Sequence, residues 1–295
     1  MKNIVFTGWL VLVSIITGIG FSSCEDDSDS NNNGKVDPGI IAASNLIAYF
    51  PFDKEPELNS AVEHSDNSIT FVRKGGTATF ANGKKGNAYQ GNSTESFLEY
   101  NIAPGSALTG IDEFTLACWI KTPFTTSGAA KIFSINGGDS YLGNIALIQE
   151  SRIIGDSVDL KLYLFDSNSP GWKNHEIRIN KKQFVNDKWF HLAAIYRKSS
   201  STMEFFANGK QVFSQVKYSG PITESGNQPL LEDIAPGSDM SKIYFGAWPQ
   251  QIAGIAEGWM TYYKGLVDEF RIYSKALTLT EVEDLYKAEV SQSDN

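Results

Sequence analysis

Cysteine is nearly absent from this chain: 295 residues contain two, Cys24 and Cys118. Histidine is almost as scarce, and His64, His175 and His191 show neither metal-ligand spacing nor a neighbouring nucleophile motif. No phosphate loop and no dinucleotide fingerprint occurs. Basic residues are in the minority, 25 against 34 acidic for a formal net charge of −9. Nucleic acid is thereby excluded as a partner, because phosphate binding needs a basic face. Long apolar runs are missing as well. The best one, residues 9–19, is too short and too interrupted by glycine to span a bilayer.

That short run has another use. Lys2 gives a positive start, residues 9–19 an apolar centre, and Gly18, Gly20, Ser22 and Ser23 a small-residue exit, so residues 1–23 read as an export signal. The stretch Phe21-Ser22-Ser23-Cys24 resembles a lipobox, with Phe21 where leucine is usual; the resemblance implies cleavage before Cys24 and a lipid on its sulfur. The alternative is an ordinary secreted protein with an incidental cysteine. Acyl chains contribute about 0.8 kcal/mol per buried methylene and would hold the protein at a membrane. With Cys24 acylated, Cys118 has no disulfide partner, and its apolar surroundings predict a buried, inert thiol.

Residues 24–44 are acidic and polar at their start, without apolar periodicity, and are expected to be a flexible tether. The cluster Glu25-Asp26-Asp27 is similar to surface-export signals of Gram-negative lipoproteins, which places the protein in the cell envelope, on the outer membrane with surface exposure. A solvated linker of a periplasmic protein has the same composition.

From residue 45 strand signals dominate. Leu46, Ala48, Phe50 and Phe52 alternate with other residues, as do Phe114, Leu116, Cys118 and Ile120, then Leu160, Leu162 and Leu164. Turn pairs separate such runs: Asn82-Gly83, Gly137-Gly138, Asn208-Gly209, and Pro-Gly at 104, 170 and 236. Asn208-Gly209 is the sharpest hairpin signal, since both central residues of a type I′ turn need positive φ. The sum predicts an all-β, antiparallel two-sheet sandwich over 45–290 as one domain, with a polar tail at 291–295. One helix is expected near the end: Thr278 and Glu281 form a capping box, and Leu279, Val282, Leu285 and Tyr286 share a face.

Four ordered segments resemble the concanavalin A-like jelly roll in its LamG-like form: 45–53 (NLIAYFPFD), 114–121 (FTLACWIK), 189–196 (WFHLAAIY) running on to 207–210 (ANGK), and 265–273 (GLVDEFRIY). The resemblance implies two curved sheets, a concave face used for glycans, and functional loops at the rim. Cys118 stands where the family usually has a small residue. Residues 247–263 (AWPQQIAGIAEGWMTYY) are longer and more aromatic than the family's usual loop at that place.

A sugar site needs flat apolar rings beside amides and carboxylates. Trp248, Trp259 and Tyr262, with Gln250 and Gln251, offer that set; the alternative is that these rings plug the end of the sandwich, and Tyr263 is expected in the core. Trp172 in a Pro-Gly loop is a further candidate. Trp119 alternates away from its core neighbours, so it lies either on an open face or under a covering loop. Period two puts Asp268 on the side of Leu266, Phe270 and Ile272, with Glu269 and Arg271 opposite. A carboxylate there needs a partner. The resemblance implies structural Ca²⁺, with Asp53 as co-ligand; hydrogen bonds from the amides of a neighbouring loop would serve equally.

Glycosidases of this fold carry Glu-x-Asp-x-(x)-Glu on one strand, a string this chain lacks. The expectation is non-catalytic capture of a glycan or polysaccharide, with neighbouring glycan-processing enzymes or a transporter as partners. A hydrolase with carboxylates from distant loops and an adhesion protein binding other proteins are the alternatives.

Overall fold

Alternation along the chain becomes two eight-stranded sheets in a computed structural model, which describes residues 36–137, 141–166, 174–217 and 240–292. All lie in one compact unit, Lys35–Asn295. The leader, Cys24 and most of the tether fall outside the described residues, as does Trp172.

The strands in chain order are β1 (Leu46–Phe50), β2 (Ile69–Lys74), β3 (Thr79–Asn82), β4 (Asn87–Gln90), β5 (Leu98–Ile102), β6 (Phe114–Lys121), β7 (Ala129–Asn136) and β8 (Ile145–Ile154). Then come β9 (Ser157–Phe165), β10 (Asn174–Val185), β11 (Trp189–Arg197), β12 (Thr202–Ala207), β13 (Lys210–Val216), β14 (Lys242–Phe245), β15 (Met260–Thr261) and β16 (Leu266–Tyr273). The helices are α1 (Pro249–Ile252) and α2 (Leu279–Gln292).

The first sheet runs β13-β12-β11-β6-β16-β4-β3, with β1 also on β16; the second runs β10-β9-β8-β7-β14-β5-β2, with β15 on β7. All named pairings are antiparallel except the short β15–β7 contact. The jelly-roll expectation is met. The last strand sits in the middle of the first sheet, flanked by β6 on one side and by β4 then β1 on the other. At the β12–β13 turn Asn208 (φ 50°) and Gly209 (φ 77°) both adopt the left-handed conformation that the type I′ turn requires.

Between the sheets lies the main core, where Phe133 and Phe245 pack on Phe270 at ring separations of 4.5 and 5.0 Å. Cys118 is buried there as a free thiol, its ionisation pushed well up by burial.

The parity expected for β16 fails midway. Val267, Phe270 and Ile272 point into the core, because Glu269 takes φ 51° and the ladder to β6 slips between Asp268 and Arg271. This bulge adds one residue and turns Asp268 to the outer face. Its carboxylate caps the β3–β4 turn, accepting from the amides of Lys84 (2.7 Å), Lys85 (2.9 Å) and Glu269 (2.8 Å).

That outer face is sealed by α2. Thr278 and Glu281 make the expected capping box, with bonds of 2.8 and 3.2 Å. The buried stripe is Val282, Leu285, Ala288 and Glu289, while Leu279 is exposed. The helix is rotated from the expected face because Glu289 docks on a charged centre. Arg271 reaches Glu289 with one guanidinium nitrogen and Glu269 with another at 2.9 Å, and it lies 4.2 Å from the ring centre of Tyr49. Tyr49 donates to Glu269 at 2.8 Å, and the Trp119 indole donates to Glu289 at 2.7 Å. His191 stands 3.5 Å from the same carboxylate. Burial pushes Glu289 up to about 7 against the pull of Arg271, and burial pushes His191 down to about 3.

Candidate functional site

The other outer face, that of the second sheet, is bordered by the loop running from β14 to β16. Trp248 is extended (φ −76°, ψ 139°), and Pro249 then starts the single turn of α1, its fixed φ suiting the first helical position. The Gln251 side chain accepts from the Trp248 amide at 3.0 Å. Beyond Gly254 (φ 74°) the chain returns to β7, where the Ala129 amide donates to the Trp259 carbonyl at 2.8 Å. Gly128 makes this approach feasible: a Cβ there would lie 2.1 Å from that carbonyl oxygen.

The loop carries two tryptophans with opposite fates. Trp248 is buried, donates its indole N–H to the Ala129 carbonyl at 2.9 Å, and stacks with Lys131 Nζ 4.3 Å from its ring centre. Lys131 is itself buried, its ammonium held by the Leu142 carbonyl at 2.8 Å, and burial lowers its pKa well below that of a free lysine. Trp259 stands edge-on to Trp248, ring centres 5.0 Å apart, and remains 38% exposed. Its indole donates to Glu257 at 2.6 Å; Tyr141, 53% exposed, donates to the other oxygen of the same carboxylate at 2.5 Å. Those two bonds, Tyr141 first, hold Glu257 below the usual carboxylate range. Gln250 fastens the Tyr141 carbonyl at 2.6 Å. Two exposed rings are thus bridged by one carboxylate.

The structure therefore redistributes the candidates. Trp259 is open. Trp248 has no free ring face, because the plug expected as its alternative is what forms. Tyr262 is half-buried near Glu95, which with burial raises its phenol. Trp119 is 4% exposed under α2, 5.8 Å from the ring of Tyr286, so a helix and not a loop covers it. Tyr141 and Glu257 were not singled out from the sequence. Their signal was faint: an acid two residues before a tryptophan, and a tyrosine just after a Gly-Gly turn.

Asp53 and Asp268 each bond the β3–β4 turn, from different residues of it. Asp53 accepts from the Asn87 amide at 3.2 Å, and its carbonyl accepts from the Asn87 side chain at 2.8 Å. Both oxygens of Asp268 already face N–H donors. Among the described residues no three His, Cys, Asp or Glu side chains come together as a cation site. Amide donors already occupy the Asp268 carboxyl and burial pushes its pKa up to about 8, so this group does not fit a calcium ligand.

The outer face of the second sheet carries a series of ion pairs: Arg73–Glu99 (2.6 Å), Lys242–Glu99 (2.9 Å), Lys161–Glu150 (2.6 Å) and Arg178–Asp159 (2.7 Å). Glu150 and Asp159 are opposite one another on β8 and β9, yet each is engaged by its own cation.

The family model described as concanavalin A-like lectin/glucanases superfamily, Laminin_G_3, matches residues 99–283. The chain belongs to this superfamily. Among curated proteins none matches it. Solved structures similar to this concanavalin A-like domain include the botulinum neurotoxin type G receptor binding domain (TM-score 0.52, 16% identity, covering 82% of this chain and 51% of that one). The serotype D ligand binding domain, in complex with N-acetylneuraminic acid, gives TM-score 0.54 at 16% identity over 83% and 52%. The binding domain of neurotoxin DC, in complex with rat synaptotagmin II, gives 0.54 at 12% over 83% and 52%. This concanavalin A-like chain spans about half the length of those chains, and likeness at such identity is one of fold.

Proposed function

We propose that this domain captures glycans without hydrolysing them, from a lipid-anchored position in the cell envelope. The observation that carries the reading is the pair of exposed rings, Trp259 and Tyr141, held by Glu257 at the border of the second sheet. A similar domain is known in complex with N-acetylneuraminic acid, which agrees with a sugar ligand. Stacking on one or two rings with a few hydrogen bonds gives weak binding per site, and display of many copies on a membrane multiplies it. A captured polysaccharide would then pass to neighbouring enzymes or a transporter.

A glycan array probed with wild type, Trp259→Ala and Tyr141→Ala tests the reading. Binding by wild type that falls about tenfold or more in each variant is expected, the loss of roughly one base-type stacking contact. Silence on the array, or binding indifferent to both changes, overturns it; capture of proteins with silence toward glycans selects the adhesion reading. Fractionation of cells carrying Cys24→Ala tests the anchor: the variant should leave the membrane fraction, and continued membrane association refutes lipidation.

A further inference from the structure

A recess lies away from the rim loop, and of its lining residues all but Tyr100 precede the stretch that matches the family model. It is a pocket of about 610 Å³ between the end of β1 and the connection to β2, a size that suits a small organic ligand. Its floor is aromatic: Phe50, Phe52 and Tyr100, all core residues. Its rim is anionic, built from Asp53, Glu57 and Glu63, with Lys54 the one cation among its lining residues.

The pocket is preformed. The connection is pinned by the Tyr49 amide to the Glu63 carbonyl, the Asn59 amide to Phe71 and the Val62 amide to Ile69, each at 2.9 Å. Lys74 holds Glu55 at 2.6 Å outside the recess, so that acid is neutralised. Phe52 adopts φ 58°, a conformation a bulky side chain takes only when its surroundings impose it; here the ring is clamped 5.1 Å from Phe245 and 6.0 Å from Tyr89. Glu57 and Glu63 are exposed and have no ion-pair partner among the described residues. An apolar floor with two unpaired carboxylates, Glu57 and Glu63, at its rim complements a positive charge carried on an apolar body: the floor covers the body and the acids neutralise the charge.

We infer that this pocket binds organic cations, an ammonium or guanidinium on an apolar stem. Such a group is offered by a free amine or by a lysine or arginine side chain of a partner. The inference stands apart from the glycan reading, since Trp259 and Tyr141 take no part in it.

Calorimetric titration of the folded protein with 2-phenylethylammonium and with its uncharged isostere 2-phenylethanol tests this. The ammonium should bind about tenfold tighter, as a charge contact in a partly exposed site allows, and the preference should shrink with added salt. Glu57→Gln/Glu63→Gln should erase the preference with an unchanged melting temperature, because both side chains are exposed. Equal binding of the alcohol, no heat from the ammonium at millimolar concentration, or a preference that survives in the double variant overturns the inference. An end-blocked Phe-Lys dipeptide identifies the source: tighter binding than the free amine supports a partner's side chain, and weaker binding supports a small amine.

Discussion

Two tryptophan–glutamate pairs sit on opposite outer faces of this sandwich with nearly the same bond. Trp119 donates to Glu289 at 2.7 Å and Trp259 donates to Glu257 at 2.6 Å. Each pair has a tyrosine beside it, Tyr286 for the first and Tyr141 for the second. What differs is cover. The first pair is roofed by α2 and bound into a network with Arg271, Glu269, Tyr49 and His191; the second has water on one side. The same chemistry fastens a helix where it is buried and presents a surface where it is not.

The contrast can be broken most forcefully on the buried side. Glu289→Ala should cost about 3 to 5 kcal/mol in urea unfolding, since it leaves Arg271 and the Trp119 N–H buried with lost partners. Trp119→Ala should cost a similar amount, about 3 to 5 kcal/mol, through the cavity it leaves. A loss under about 1 kcal/mol for both would show the network to be a surface feature. On the open side Trp259→Ala should change stability by no more than about 1 kcal/mol while removing glycan binding; a matching loss of stability would make it a plug like Trp248.

Next in size is pH. His191 has its pKa pushed down to about 3 by burial, helped by Arg271, so the unfolded chain takes up a proton near 6.5 before the folded chain does. Its contribution is present above that unfolded value and is lost as pH falls toward 3. Unfolding of wild type and His191→Gln compared at pH 7 and pH 4 should show a steeper acid loss in wild type; parallel losses refute the assignment. Glu257→Gln should be milder, leaving the melting temperature unchanged but loosening both rings, so glycan binding weakens a few-fold. The smallest expected effect is calcium: EDTA should leave the melting temperature unchanged, because Asp268 is already capped by amides, and a drop on chelation would reopen the metal reading.

Much of the architecture could be read from alternation and turns, because those are local. Asn208-Gly209, the capping box at Thr278 and the core positions of β6 all follow from neighbours within a few residues. The bulge in β16 does not, since Glu269 bears no glycine to betray its positive φ. Parity correctly turned Trp119 away from the inter-sheet core, but which outer face a helix later covers depends on residues 170 positions away. Glu289, at the end of an otherwise apolar stripe, carries no local sign of burial, because its partner Arg271 belongs to a different element. The Trp259 site was half-legible: its aromatic loop stood out, whereas Tyr141 comes from a different connection and joins it only through Glu257.

The placement of β16 has a consequence in time. The first sheet cannot close before β16 has emerged, because β1, β4 and β6 all precede it in the chain and all pair with it. Pairings so far apart in sequence form slowly. Until β16 arrives, β1, β4 and β6 are three strands without the neighbour that joins them, so the order of strands itself delays closure of this sheet and guards against its folding piecemeal.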